Sequence, residues 1–543
     1  MSEIDKVFSE FKEHSVAEFF KKNRQMLGFS GKTRSLTTIV HEYVTNSLDA
    51  AEEAKVAPEI SVEIKETDKE KYTVKVQDNA LGIPKKHIGK VFGVMLAGTK
   101  FHRYVQQRGQ QGIGATGCTM FSQVTTGKPV HVVSAYDKKI ISCDVSVDFK
   151  TNGAVVSNIV ETEQDGSRRG VAVEAEFADV KYDKSAYGVF EYLKRTAIAN
   201  PHAKITLMDP FGETHVFPKS VDIIPPKPTP VLPHPLGLSK NDLQEFALAD
   251  RENPKISSFL QNALARVSAA KVKELESLCP GVDFSKKPSE MTWADAEKIV
   301  EAFSQVKWIA PATDSIIPIG QEQITKSLQS ILNPEFLSVR ERPPKIYRGG
   351  IPFIIEAAIA YGGQAGRKLA EGTQPEILRY ANRAPLIFDS AGCSITESVK
   401  NIEWSRYGLK NFDQLPITIL VNIVSVHIPY TGAGKQAISD EEEVVAEMRN
   451  AVMEVARDLQ RHMSGLRSEK ERAARKSAVL RYVGQLSADL AELSGKDSKA
   501  ALEKKLIHLI ENRYSKQLEE SNDSAPAEES SGGSDGEEDE KEE

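Results

Sequence analysis

Between His41 and Ala50 the chain reads HEYVTNSLDA, which supplies a carboxylate at Glu42, a carboxamide at Asn46 and a second carboxylate at Asp49. On a helix these positions are i, i+4 and i+7 and share one face, with Val40, Val44 and Leu48 opposite. The plain reading is an amphipathic helix with a solvated polar side. The chemical reading makes Glu42 a general base for a water and Asn46 a ligand for Mg2+, a cation held by few protein oxygens together with phosphate. A second stretch, QDNALGIP (77–84), puts Asp78 at the end of a strand in which Tyr72, Val74 and Val76 have inward parity. A carboxylate of that parity is buried and needs partners. It either caps an Asp-Asn turn through backbone N–H groups or accepts from a ligand amine such as the exocyclic amine of adenine.

A third stretch, RGQQGIGATG (108–117), contains Gly112-x-Gly114-x-x-Gly117, the spacing of a dinucleotide fingerprint. That fingerprint follows a buried strand directly, whereas KFHRYVQQRGQQ (100–111) is polar and basic. Gly93, Gly98, Gly109, Gly112, Gly114 and Gly117 crowd one short region, and a run from Cys118 to Val124 can continue as a helix. Glycines whose N–H groups close on an anion, followed by a helix N-terminus, describe a phosphate site. A plain flexible loop is the alternative. Far downstream, YTGAGKQ invites a Walker A reading for Lys435, but Pro429 stands where its first glycine belongs and Gln436 replaces the Ser/Thr. Locally, Lys435 reads as an exposed turn lysine.

The elements that must position these groups follow from patterning. EISVEIKETDKEKYTVKVQD (59–78) alternates as a hairpin, and further strands are expected near 130–136, 139–147, 170–177, 203–208 and 213–217. PPKPTPVLPHP (225–235) is a stiff break. Residues 239–306 then carry only helical pattern, with Ser239, Asn253 and Thr292 as candidate caps. From Pro311 strands return, and IPFIIEAAIAYGG and LPITILVNIVSVHIPY have the continuous apolar character of buried strands. Residues 439–493 hold no proline and predict one very long helix or two in series, with acids at its start. The last 25 residues, 519–543, hold 12 acids and one Lys among Ser and Gly and are expected to be disordered. The net charge of −7 over 543 residues therefore hides a body of +4, mildly basic but not diagnostic of a nucleic-acid partner. Four scattered cysteines with no CxxC pair argue against a disulfide frame or a zinc site. The longest apolar stretch, 416–429, is too short for a membrane span, and MSEIDKVFSEF lacks a signal core, so a cytoplasmic protein with no membrane partner is expected.

The three glycine- and carboxylate-bearing stretches, in this order, resemble the N, G1 and G2 boxes of the GHKL ATPases, the group of gyrase, certain chaperones, mismatch-repair ATPases and histidine kinases. The chain is most similar to the B-subunit family of topoisomerase VI, through the same stretches and LAGTKFHRYVQQRGQQGIGATG (96–117), PHP (233–235), YANRAPLIFD (380–389) and IPYTGAGKQAI (428–438). The resemblance implies a multidomain α/β (α+β) fold. Its parts are a GHKL two-layer sandwich over 1–224, a helix-two-turns-helix insert over 225–308 and a transducer with a βαβ crossover over 309–470. A helical segment over 471–518 would contact an A subunit, and the acidic tail is 519–543. It implies ATP and Mg2+ as cofactors, Glu42 as base and Asn46 as the metal ligand. Contacts to ATP would come from Asn46, Asp49, Asp78, Gly82, Ile83, Gly98, Thr99, Lys100, Arg108, Gly109, Gln110, Gln111, Gly112, Ile113, Gly114 and Ala115. Lys435 would reach the γ-phosphate from the transducer. The partners implied are a tyrosine-bearing, DNA-cleaving A subunit in an A2B2 heterotetramer, a second copy of this chain in an ATP-dependent homodimer, and double-stranded DNA. Thr45 stands where many relatives have an acid, but it is rotated off the Glu42/Asn46 face. Another GHKL ATPase of the mismatch-repair or chaperone kind is the alternative, as is a non-catalytic scaffold. A histidine kinase is disfavoured because the ATP domain comes first.

Overall fold

The computed structural model describes residues 15–96, 104–108, 112–166, 168–370, 372–432, 434–495 and 498–523. A short helix α1 (Val16–Lys22) is capped by Ser15, whose hydroxyl accepts from the Glu18 N–H. Helix α2 (Lys32–Glu53) starts after Gly31, held at φ 80°. Leu36, Ile39, Val40, Val44, Leu48 and Ala51 form its buried stripe, so the polar face bearing Glu42 and Asn46 is left outside. Strands β1 (Glu59–Asp68) and β2 (Lys71–Gln77) form the expected hairpin in the register Val62↔Val76 and Ile64↔Val74. After α3 (Lys85–Gly93) and α4 (Gly114–Thr126) come β3 (Val130–Tyr136), β4 (Lys139–Asp148), β5 (Gly153–Glu163), β6 (Gly170–Ala178), α5 (Val189–Ala199), β7 (Lys204–Met208) and β8 (Thr214–Phe217).

These strands make one eight-stranded sheet, ordered β5-β4-β3-β6-β2-β1-β7-β8, antiparallel except for β1 with β7. Leu36 of α2, Phe121 of α4 and Tyr192 of α5 share one core with Val62, Val74, Val173 and Leu207 of the sheet. The result is a layer of helices on a sheet, as a GHKL sandwich requires. Strand β5 is absent from the sequence-based expectation. It is the sheet's edge, mostly exposed, and GAVVSNIVETE lacks the alternation that burial on one face imposes.

Helices α6 (Lys240–Ala249), α7 (Ile256–Ala263), α8 (Ala269–Leu278) and α9 (Trp293–Phe303) build a separate core around Leu243, Phe259, Leu275 and Phe303. Ser239 and Thr292 cap α6 and α9 with reciprocal boxes to Asp242 and Asp295. Asn253 is not a cap. Its N–H and carboxamide both donate to the Asp250 carboxylate, Pro254 follows, and α7 begins only at Ile256.

The third region contains α10 (Gln321–Leu332), β9 (Phe336–Glu341), β10 (Lys345–Tyr347), β11 (Ile351–Tyr361), the small hairpin β12 (Arg367–Leu369) and β13 (Gly372–Gln374), then β14 (Glu376–Ala381), β15 (Ala384–Pro385), α11 (Ser394–Lys400) and β16 (Ile417–Ser425). Its sheet runs β10-β11-β16-β14-β15, with β9 also on β11. Strand β16 is buried at every residue and β11 at all but Tyr361, which explains their unbroken apolar sequences. Strands β14 and β16 pair in parallel with α11 between them, the βαβ crossover. Helix α12 (Glu442–Ser494) is continuous. Its start is fastened to β9 and the residue after it through Arg342 to Glu447 and Glu454 (2.6 and 2.7 Å) and Arg340 to Asp458 (2.6 Å). From Gln460 the chain forms a second compact unit, comprising the rest of α12 and α13 (Lys499–Asp523). Among the described residues no helix is long and apolar enough to cross a membrane. All four cysteines are free and buried.

Candidate nucleotide site

Helix α2 brings the first box to the other two. Glu42 is half-buried, and its carboxylate lies against the first residue of α4: a Cβ added to Gly114 would sit 1.7 Å from Glu42 Oε2. Position 114 is therefore glycine because the carboxylate occupies the side-chain space. Asn46 is exposed on the same face one turn on. Thr45 is buried where Asn46 is exposed, as expected of a residue rotated off that face.

Asp78 is 8% exposed. Its Oδ1 accepts from the N–H groups of Ala80 and Val171 (3.0 and 3.1 Å), and Ser47 on α2 donates to Oδ2 at 2.9 Å. Asp78 thus caps its own turn and is also locked to the Asn46-bearing helix through Ser47. Burial pushes its carboxyl up, against those three hydrogen bonds. The following turn is stitched to β3 through Ser134, whose hydroxyl accepts from the Ile83 N–H (2.6 Å) and donates to its carbonyl (2.9 Å). Gly82 is needed there, since a Cβ would meet the Ala135 carbonyl oxygen at 2.2 Å.

Of the glycine run, Gly98, Thr99, Lys100, Gly109, Gln110 and Gln111 lie outside the described residues. Gly112 has φ 58°, the left-handed region open to glycine. Ile113 is the N-cap of α4, with no side-chain cap on the helix. The first N–H groups of α4, at Gly114 and Ala115, are thus presented beside Glu42, the arrangement of a helix terminus that takes an anion. No strand leads directly into this loop among the described residues: Tyr104 makes only an isolated bridge to Val231, which removes the dinucleotide reading.

Two expected ligand contacts have another occupation. Arg108, 7% exposed, donates to Asp49 at 2.8 Å and doubly to Glu52 at 3.1 and 2.6 Å, and also hydrogen-bonds Asn200. Glu52 further receives His202 at 2.9 Å and lies 3.6 Å from Arg383 of the third region. Burial pushes the Glu52 carboxyl up, but the charges of Arg108 and Arg383 with the hydrogen bonds from His202 and Arg108 hold it well below the usual range. In this structure Asp49 and Arg108 therefore neutralise each other at the base of the loop. The i+7 spacing located Asp49 but not its partner, 59 residues on.

Lys435 lies in a turn with φ 50°. Its charge is near enough to His41 to add to the lowering of that imidazole, a lowering caused first by burial and opposed by Glu42. The loop is held by Gln436, whose Oε1 accepts from the N–H groups of Ile387 and Phe388 (both 3.2 Å). Asp389 pairs doubly with Arg34 of α2 (2.9 and 3.1 Å). The sequence does not point to Glu52, Arg383, Gln436 or Gln106 (below), because each gains meaning only from a distant partner.

A helix-layered sheet with a carboxylate over the N-terminus of a glycine-initiated helix defines an ATPase domain of the GHKL type. Residues 31–170 match the family described as histidine kinase-, DNA gyrase B-, and HSP90-like ATPase, and residues 311–475 match that of the topoisomerase VI B subunit transducer. The chain is 47% identical over 477 residues to the type 2 DNA topoisomerase 6 B subunit of Methanothermobacter thermautotrophicus, covering 87% of this chain and 90% of that one. It is 42% identical over 557 residues to the protein of the same name from Pyrococcus horikoshii, covering 94% and 97%. The chain belongs to the B-subunit family of topoisomerase VI.

Proposed function

We propose that this chain is the ATP-binding and ATP-hydrolysing component of a type IIB DNA topoisomerase. ATP binding closes two copies into a gate around one duplex, which passes through a double-strand break made by the A subunit. The observation that carries the reading is the Glu42 carboxylate set against the N-terminus of α4 at Gly114, with the charge of Lys435 close by. The side-chain space at Gly114 taken by a carboxylate, the buried acceptor Asp78 and the exposed carboxamide Asn46 fit ATP with Mg2+. Glu42 would orient and deprotonate the attacking water, Asp78 would accept from the adenine amine, Asn46 would hold Mg2+, and Lys435 would sense the γ-phosphate. The metal, when bound, supplies positive charge to phosphate oxygens.

On this reading the chain divides into 1–224, 225–308, 309–470, 471–518 and 519–543, with 471–518 as the contact to the A subunit in an A2B2 assembly and the cytoplasm as its location. Substituting Glu42→Ala should leave ATP binding and nucleotide-dependent dimerisation intact while hydrolysis falls about 10²–10⁴-fold, the loss typical of a missing general base. Normal turnover by that variant removes the assignment. ATP-dependent decatenation on adding an A subunit separates a topoisomerase from the other GHKL ATPases.

A further inference from the structure

Gln106 stands two residues before Arg108, in the stem of the glycine loop, and is 3% exposed. Its carboxamide takes both backbone groups of one residue: Oε1 accepts from the Ile317 N–H at 2.6 Å, and Nε2 donates to the Ile317 carbonyl at 2.7 Å. A primary amide can do this because it carries a donor and an acceptor side by side, and the pairing fixes both the position and the orientation of Ile317. Two residues on, the N–H groups of Ile319 and Gly320, at the start of α10, donate to the Glu356 carboxylate at 3.1 and 2.7 Å. Asn422 donates to the same carboxylate at 2.7 Å. Glu356 on β11 and Asn422 on β16 are paired residues at the centre of the second sheet.

The neighbours of Gln106 are tied down as well. The Tyr104 carbonyl accepts from Val231 and its ring meets Phe246 of α6, the Gln107 carbonyl accepts from Asn382, and Arg108 holds α2. Five consecutive residues before the glycine loop thus include four fastened to different parts of the fold.

We infer that Gln106 is a positioning residue that ties the stem 104–108, itself held to α2 through Arg108, to Ile317 and carries a nucleotide-dependent change at the ATP site into α10, β11 and β16. The inference rests on the ATPase reading. A two-bond clamp buried from water cannot slip by a residue without stranding both groups of Ile317, so a shift of Gln106 is passed on rather than absorbed. Two sites can be coupled only through such an element with a differential contact in each state.

Hydrogen–deuterium exchange of the full chain, with and without AMPPNP, tests this. In the wild type the analogue should alter exchange in the glycine loop and in peptides over 313–332 and 351–361. In Gln106→Leu the loop response should persist, with affinity for AMPPNP within about threefold of wild type, while the remote response is lost. Gln106→Glu supplies the comparison if the leucine variant does not fold. A neutral carboxyl group has the O–H donor and carbonyl acceptor of the amide, an ionised one has no donor, and burial favours the neutral form. Its remote response should therefore be present at about pH 6 and absent at about pH 8. Wild type measured at both pH values controls for titration of Glu356 and His202. A remote response that survives Gln106→Leu, or that is indifferent to pH in Gln106→Glu, overturns the inference. Failure of wild type to bind AMPPNP at all refutes the ATPase reading instead.

Discussion

Glu356 is a fully buried carboxyl at the centre of the second sheet, and substituting it with Gln gives a pH signature that can be worked out in advance. Its pKa is pushed up from 4.5 to about 7, first by burial and further by Glu341, against the Gly320 N–H, the Asn422 amide and the Ile319 N–H. Between those values the folded chain holds a proton that the unfolded chain has released. The stability from this group is therefore fully present below 4.5 and is lost as pH rises through about 7. At about 1.36 kcal/mol per pH unit the whole change amounts to about 3 kcal/mol, of which about 2–3 kcal/mol falls between about pH 5 and about pH 8. Gln is neutral throughout and keeps one carbonyl for an N–H, so it imitates the protonated acid. Glu356→Gln should thus gain on the wild type by that amount as pH rises across this range. With 1 kcal/mol moving the midpoint by about 2–4 °C in a domain of 150–250 residues, the two melting curves should shift relative to each other by about 5–10 °C. A chain of several domains does not melt in one step, so infrared difference spectra provide a second readout: a protonated-carboxyl band that disappears near neutral pH in the wild type and is missing from the variant. Melting curves that stay parallel from about pH 5 to about pH 8, with no such band, would refute the buried-carboxyl reasoning.

Gly114→Ala places a methyl group where Glu42 Oε2 now lies; ATP hydrolysis should fall by about the 10²–10⁴-fold of a displaced base, and turnover within a few-fold of wild type would mean the carboxylate is not held there for catalysis. Asp78→Asn exchanges an acceptor oxygen for a donor at the Ser47 hydrogen bond and should weaken AMPPNP binding about 10–100-fold in calorimetry, the worth of about 1.5–3 kcal/mol for a hydrogen bond to a charged group; equal affinity contradicts the adenine role. Glu52→Leu leaves Arg108 and Arg383 without their shared carboxylate, so thermal unfolding should show a loss of about 3–5 kcal/mol, as for a broken buried ion pair. A loss well under 1 kcal/mol would show that packing rather than charge holds that junction.

Much of the fold and site is legible in the sequence, for reasons that particular residues make plain. Asp78 is marked by strand parity alone, because period-2 alternation fixes which side of a sheet a residue faces, and the residue is indeed buried. Glu42 and Asn46 stand out because helical spacing is local. Strands β11 and β16 announce themselves as unbroken apolar runs. Asn253 fails as a cap because Pro254 and the Asp250 turn compete for the same stretch, a contest that composition does not decide. Arg108 is an ATP contact only through the family resemblance, whereas the structure pairs it internally. Its three partners, Asp49, Glu52 and Asn200, come from two helical regions, and no one-dimensional pattern links them to it.

Gln436 shows why the failed Walker motif is informative. A lysine that grips phosphate from a P-loop is followed by a hydroxyl that meets the metal, whereas here the next residue turns its amide inward to the backbone of Ile387 and Phe388. Phe388 in turn packs its ring 4.5 Å from the Arg34 guanidinium, and Asp389 completes a bidentate pair with it. Arg34 opens the same helix that carries Glu42 and Asn46 eight and twelve residues on. The lysine loop is thus keyed to the helix that carries Glu42, while the stem of the glycine loop is keyed through Gln106 to the centre of the second sheet. A nucleotide that touched only one of these would bias only one attachment. On the proposed roles, engaging the glycine loop and Lys435 together would require a terminal phosphate, so the second sheet would be shifted at two separate points only by the triphosphate, and hydrolysis would release both.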